Sequence, residues 1–343
     1  MLYYVTMAFL AIAFFINIFS GGGSARVLRE IFYGFYFAED AVTDDEDVPN
    51  SPEAVAKCVE AGIGIKTELY TAKDGRPFVS AFNDLSKQYG MDRKISESSS
   101  DELEGTLLSI TRFIELVDGK VPVIFEIKSG ENNELACRLT ADAINASGHK
   151  NIAVVSFHAG IIAWFKKKEK KIFRGLISAP AKDFTSLSKW DRFLTGNLGN
   201  NSVARPQFVL YRNKKQSVFV KLAFATGTVK GIWLITDKET GKQMEETQDM
   251  IICRGFMPEN GQFKELGERE KSQLELDIEA KDAKKAARRQ AKLDYEAKLR
   301  QENAITTRER AIAAGYIDED TDLTITEYVD EDEAVSAEEN TEN

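Results

Sequence analysis

Val121-Pro122-Val123-Ile124-Phe125-Glu126-Ile127-Lys128 is an apolar run that closes on a carboxylate and an ammonium. Its apolar residues fall on both alternating faces, which suits a strand buried from both sides in a parallel sheet wrapped by helices. Runs of the same kind recur at 30–35, 63–70, 77–82, 152–157, 171–177, 207–212 and 231–236. With 121–128 they make eight, the number a closed barrel needs. Helical patterns fall between them. In 51–61, Ala54, Val55, Cys58 and Val59 recur at helical spacing after the start signal Pro49-Asn50-Ser51-Pro52, and 136–146 is a second case. The chain of 343 residues exceeds the roughly 250 of one barrel, so appendages are expected at its ends. The expected class is α/β, a TIM (β/α)8 barrel over 31–262.

The first appendage is LYYVTMAFLAIAFFINIF, residues 2–19, with no charge and only Thr6 and Asn17 as interruptions. It is just long enough to span hydrocarbon. A cleaved signal peptide is the rival reading: Gly21-Gly22-Gly23-Ser24-Ala25 could be cut, but no basic residue precedes the run. The favoured expectation is a retained transmembrane anchor over 1–20 and a linker over 21–30. Arg26 and Arg29 follow the run, so the positive-inside bias places a single-pass protein in the cell membrane with its barrel on the cytoplasmic side.

The second appendage begins at 263. Residues 263–315 are dense in Glu, Lys, Arg and Ala and predict a charged helix. Leu274, Ile278, Leu293, Leu299 and Ile305 hold no heptad, which favours a solvated, ion-paired helix over a coiled coil. Residues 316–343 carry 12 of the 55 carboxylates and no Lys or Arg, and predict a disordered acidic tail. The net charge of −10 belongs to that tail, since the 45 cations nearly balance the acids before it. On its face that net charge argues against nucleic acid, and no nucleic-acid partner is expected. The expected partners are the membrane, through the N-terminal helix, and a protein, through the C-terminal helix and tail. Cys58, Cys137 and Cys253 are odd in number and lack metal spacing, so neither a disulfide framework nor a zinc site is expected, and a reducing compartment is. No repeat is present, and no Lys-Ser/Thr follows Gly21–Gly23 to make a phosphate loop.

Several ordered segments carry a resemblance. They are Asn50-Ser51-Pro52-Glu53-Ala54, Ala61-Gly62-Ile63-Gly64-Ile65-Lys66-Thr67-Glu68, Ala72-Lys73-Asp74-Gly75-Arg76-Pro77, Met91 to Ser96, Leu116 to Val123 and Glu126-Ile127-Lys128. In the second half Val155-Ser156-Phe157, Trp164 to Lys167, Arg174-Gly175, Arg205 to Arg212 and Ile251 to Phe256 continue the order. Together they cover about two thirds of the chain, and they resemble the glycerophosphodiester phosphodiesterase family in its membrane-anchored bacterial form. The resemblance implies a TIM barrel that hydrolyses glycerophosphodiesters to an alcohol and glycerol 3-phosphate, with a divalent cation and two histidines at the C-terminal ends of the strands. One imidazole would take a proton from the attacking hydroxyl, another would give one to the leaving alkoxide, and carboxylates would hold the cation.

Against that pattern the chain is degenerate. The family's first-strand His-Arg-Gly falls on Phe32-Tyr33-Gly34, and its Glu-x-Asp pair becomes Lys66-Thr67-Glu68. Its His-Asp after the third strand falls on Ala81-Phe82, or on Asn83-Asp84 with a slip of two. The aromatic of its last-strand Trp-Thr-Val is displaced to Trp233. Glu126 and Lys128 survive. Glu68 and Glu126 are the candidate metal ligands, and Glu126, Lys128 and His158 would carry any remaining catalysis. Each has a plainer reading: Glu126 and Lys128 as a barrel-mouth ion pair, His158 as a loop side chain, and Lys66 with Glu68 as an internal salt bridge where a metal once stood. His149 precedes the fifth strand and faces the non-catalytic end. The lysines at 166–168 and 170–171 could touch anionic lipid, a solvated helix face being the default. The functional expectation is a membrane-anchored, inactive member acting as a binding or scaffold module with no cofactor. The alternative is an active phosphodiesterase of lipid metabolism using Mg or Ca.

Overall fold

The computed structural model describes residues 2–23 and 26–265, together with some positions between 287 and 315. Ten strands occur in the described part. They are β1 (Phe35–Glu39), β2 (Gly64–Thr71), β3 (Pro77–Val79), β4 (Leu108–Ser109), β5 (Val123–Ile127), β6 (Ile152–Ser156), β7 (Phe173–Ser178), β8 (Phe208–Arg212), β9 (Val229–Ile235) and β10 (Met250–Cys253). β1, β2, β5, β6, β7, β8, β9 and β10 pair in parallel, and β10 pairs back on β1, so eight strands close into a barrel. The expected fold class is the observed one.

Two strand assignments need correction. The run 77–82 is not a barrel strand, because β3 pairs antiparallel with the end of β2 and then with β4. Its reason is legible: only residues 72–76 separate the two strands, whereas a parallel crossover needs a dozen or more. The eighth barrel strand is instead β10. The second correction concerns the start. Residues 26–32 form a short helix, α2 (Arg26–Phe32), and the first strand begins only at Phe35. Gly34 makes the break at φ +73°, and a Cβ there would collide with the Lys264 carbonyl.

Phe32, the last residue of α2, is fully buried in the barrel interior and stacks on Phe37 and Phe173 at 6.4 and 5.0 Å. Phe208, Ile124, Ala153, Leu210 and Met250 complete that inner layer. Gly175 leaves the room that the Phe208 ring fills. A second, larger apolar layer lies between the strands and the outer helices. One of these is α3 (Pro52–Glu60), where Ser51 accepts from the Ala54 N–H at 3.2 Å as the N-cap that the Asn-Ser-Pro signal predicts.

The N-terminal run is helical over Leu2–Phe19, here α1. At 1.5 Å per residue it rises about 27 Å, short of the ~30 Å hydrocarbon layer. Among the described residues no helix is long and apolar enough to cross a membrane, so the expected spanning anchor is not found. The last turn of α1 is built into the barrel wall. Asn201 donates to the Phe19 carbonyl at 2.7 Å, Arg205 donates to the Asn17 carbonyl at 2.8 Å, and Phe19 stacks on Phe219 at 4.9 Å.

The chain divides into two units, 1–267 and 268–343. In the second, most of the expected charged helix and the whole tail 316–343 lie outside the described residues. The described positions there from 287 to 313 are helical, with Gln290 donating to Asp294 one turn on.

Candidate functional site at the barrel mouth

Strand register assembles the site. Glu39 pairs with Lys66 across β1 and β2, and Glu68 pairs with Glu126 across β2 and β5. Because side chains alternate, Lys66, Glu68 and Tyr70 share one face of β2, and Glu126 and Lys128 share the corresponding face of β5. Glu39, Glu126 and Lys128 lie at or just past the C-terminal ends of their strands, and Lys66, the third residue of β2, is level with Glu39, so the group sits toward the end where barrel sites sit.

The central group is Lys66, only 3% exposed. Its Nζ lies 2.5 Å from Glu126, 3.1 Å from Glu39 and 3.7 Å from Glu68. Lys128 closes the ring, with Nζ 2.5 Å from the other Glu126 oxygen and 2.7 Å from Glu68. The Tyr70 hydroxyl donates to Glu68 at 2.8 Å. Burial alone would lower the Lys66 pKa, but Glu126, Glu39 and Glu68 outweigh it and hold it well above the ordinary value. Burial likewise works to raise Glu126, and Lys66 and Lys128 overcome it and hold that carboxyl low. Glu68 is pushed up by burial and by the neighbouring Glu126, which the two lysines only partly offset. Beside this ring Asp40, buried and at φ +53°, receives Arg254 at 3.0 Å and the Thr67 hydroxyl at 3.3 Å.

The opposite arc of the mouth is aromatic. Phe157 meets Trp233 edge-on at 6.0 Å and Phe184 at 6.2 Å. The Arg212 guanidinium lies over Trp233 at 5.6 Å, and Asp183 holds Arg212 at 3.0 Å and Lys214 at 3.2 Å. Next to Lys128 a cavity of about 590 Å³ opens among Tyr70, Asp74, Asn83, Glu131 and Asn132.

Of the candidate residues, the structure brings together Lys66, Glu68, Glu126 and Lys128. His158 stands apart as the exposed N-cap of the helix Ala159–Lys168, its backbone N–H donating to Ser156 Oγ at 3.1 Å. Among the described residues no hydrogen bond or ion pair ties its imidazole to the ring of charges. Phe32 and Tyr33 are not at the mouth at all: they precede β1, and Phe32 plugs the opposite end. The mouth end of β1 is Glu39-Asp40, five residues or more further on. Ala81 follows the antiparallel β3 in the excursion rather than a barrel strand. Trp233 ends up on the inner face of β9, which is not the last strand. Sequence reasoning missed Glu39, Asp40, Tyr70 and Arg254. The signal for the first two was the run Phe35–Ala38 ending on two carboxylates.

The residues do not fit a divalent cation between Glu68 and Glu126. Each Glu126 oxygen already faces an ammonium at 2.5 Å, and a metal at ordinary oxygen distance would fall on Lys66. Among the described residues no group of three His, Cys, Asp or Glu side chains could hold a metal ion.

No family model matches the chain, and no curated protein matches it. Solved structures do. A phosphodiesterase from Oleispira antarctica, in complex with the product sn-glycerol 3-phosphate, superposes with a TM-score of 0.54 at 15% identity, over 65% of this chain and 94% of that one. The fold is that of the glycerophosphodiester phosphodiesterases. A second example, the glycerophosphodiester phosphodiesterase from Thermotoga maritima, gives 0.50 at 20% identity over 64% of this chain and 94% of its own. This glycerophosphodiester phosphodiesterase-like barrel thus carries at its mouth a ring of two ammoniums and three carboxylates.

Proposed function

We propose that the chain is a non-hydrolytic, glycerophosphodiester phosphodiesterase-like barrel, attached to a membrane through α1 and acting as a binding or scaffold module. The observation that carries this reading is the Lys66 ammonium among Glu39, Glu68 and Glu126. In acid/base hydrolysis two groups exchange protons with the reacting oxygens and a cation neutralises phosphate charge. Here the carboxylates are spent on lysines, and the mouth carries one exposed histidine outside the ring. Groups that act as a unit fail together, so a retained Glu126 and Lys128 do not restore the rate. The cavity beside Lys128 and the aromatic arc of Phe157 and Trp233 offer a polar and an apolar wall for a ligand instead. Membrane attachment rests on α1, which has no charged residue and exposes Tyr4, Val5, Phe9, Leu10 and Phe14. The charged helix and acidic tail serve as an arm for a protein partner.

The test is hydrolysis of glycerophosphocholine and glycerophosphoethanolamine by the full chain in Mg or Ca, with Glu126→Gln in parallel. The expected result is background turnover in both. Robust turnover lost in Glu126→Gln overturns the proposal in favour of a metal-dependent phosphodiesterase.

A further inference from the structure

Outside the mouth, the most distinctive surface is a ladder of rings that starts at α1. Phe19 stacks on Phe219 at 4.9 Å, Phe219 meets Phe193 at 5.8 Å, and Phe193 stacks on Trp190 at 5.8 Å. The ladder runs from buried to exposed: Phe19 is 3% accessible, Phe193 38% and Trp190 67%. Val218, 71% exposed, precedes Phe219 at the start of the helix Val218–Ala225, and Leu187 lies just before the helix Lys189–Gly196 that carries Trp190. Exposed aromatic and apolar side chains gathered near one another mark interaction sites, whereas singly scattered ones do not.

The charge of the same segment is opposite to that of the chain. Between 182 and 221 there are eight Lys and Arg against two carboxylates, Asp183 and Asp191, whereas the whole chain stands at −10. Asp183 is already held by Arg212 and Lys214. Lys189 adjoins Trp190, and Lys221 lies one turn from Val218 on the same helix face. Exposed Trp and Phe beside Lys is the composition of a surface that sits in the headgroup layer. The rings enter the boundary with the acyl chains, and the ammoniums meet anionic lipid.

We propose that the face made by the helices Lys189–Gly196 and Val218–Ala225 and the end of α1 rests on an anionic bilayer, with Trp190 and Phe193 inserted at the interface. This rests on the membrane attachment proposed above and deepens it. α1 supplies apolar adhesion, and the second contact fixes how the barrel is turned. Continuity decides for a bilayer over a soluble partner. The ladder is in unbroken ring contact with α1, an 18-residue helix with no charge, so a membrane that takes α1 comes within three ring contacts of Trp190.

The experiment uses the full chain and vesicles of phosphatidylcholine, alone or with phosphatidylglycerol, carrying acyl chains brominated near the headgroup. Trp190 is read as the difference between the wild type and Trp190→Phe. Co-sedimentation with the anionic vesicles, a blue shift, and quenching that Trp190→Phe abolishes are expected. Trp190→Ser with Phe193→Ser, both exposed positions, should lower vesicle partitioning about tenfold. Co-sedimentation with Trp190 unquenched and the double variant unimpaired overturns this face while leaving attachment by α1 standing, and points to a protein partner for the ladder. Equal binding to phosphatidylcholine alone overturns the anionic requirement. No co-sedimentation with either vesicle overturns both this inference and the attachment.

Discussion

Replacing Lys66 with Met tests the reading of the mouth most directly. Lys66 is 3% exposed and touches three carboxylates, so its removal leaves Glu39, Glu68 and Glu126 with Lys128 as their remaining ammonium in the ring. Removing one partner from a buried ion cluster costs about 3–5 kcal/mol, because the charges left behind stay desolvated. For a unit of this size that lowers the unfolding midpoint by roughly 10 °C. The variant also has what the wild type lacks: a vacated position within reach of three carboxylate groups. Calcium should therefore restore part of the loss. A ligand at a hundred times its dissociation constant returns about 2.7 kcal/mol. The assay is thermal unfolding of the wild type and Lys66→Met with calcium or with a chelator. A midpoint shift by calcium in the variant and none in the wild type is expected. Equal shifts in both, or a variant as stable as the wild type, would refute the argument that the ammonium occupies a cation position.

Three further outcomes follow from the geometry. Glu126 has its pKa held below the ordinary carboxylate value by Lys66 and Lys128 against the opposing effect of burial, so its contribution is present above the unfolded value of about 4.3 and is lost as pH falls through the lower folded value. In urea unfolding the margin of wild type over Glu126→Gln should be flat from pH 6 to 8 and shrink on approach to pH 3, and a constant margin would contradict it. Phe32→Ala should cost about 3–5 kcal/mol in denaturant unfolding, since the ring is fully enclosed by Phe37 and Phe173, whereas a ring at an open mouth would cost little. Burial pushes the thiols of Cys58 and Cys137 up to about 12 and Cys253 higher still, so a disulfide reagent at pH 8 should titrate none of the three before unfolding; rapid reaction of any one would show an opening the structure lacks.

The parallel sheet was legible because strands such as 123–127 are buried on both faces, as sheets covered by helices on both sides or closed into a barrel are. The start was not. Ile31 to Ala38 is one nearly continuous apolar run, and periodicity alone does not divide it into the end of a helix and the beginning of a strand. That slip moved Phe32 and Tyr33 to the wrong end of the barrel and hid Glu39 and Asp40. β10 was obscure for a related reason: four residues are too few to show a period. The ring of Lys66, Glu68, Glu126 and Lys128 was readable from the two-residue alternation within β2 and β5. Its closure by Glu39 and its neighbour pair Asp40–Arg254 depended on β1 and β10, the two strands whose positions the sequence left open.

A cation carried on a side chain differs in kind from one taken from solution. A bound metal ion comes and goes with supply, and a site that holds one reports on the medium around it. The Lys66 ammonium enters with the polypeptide, one per chain, and leaves only when the barrel unfolds. Chelators do not strip it, and scarcity does not empty it. The positive charge at the centre of the mouth is therefore independent of the supply of metal ions.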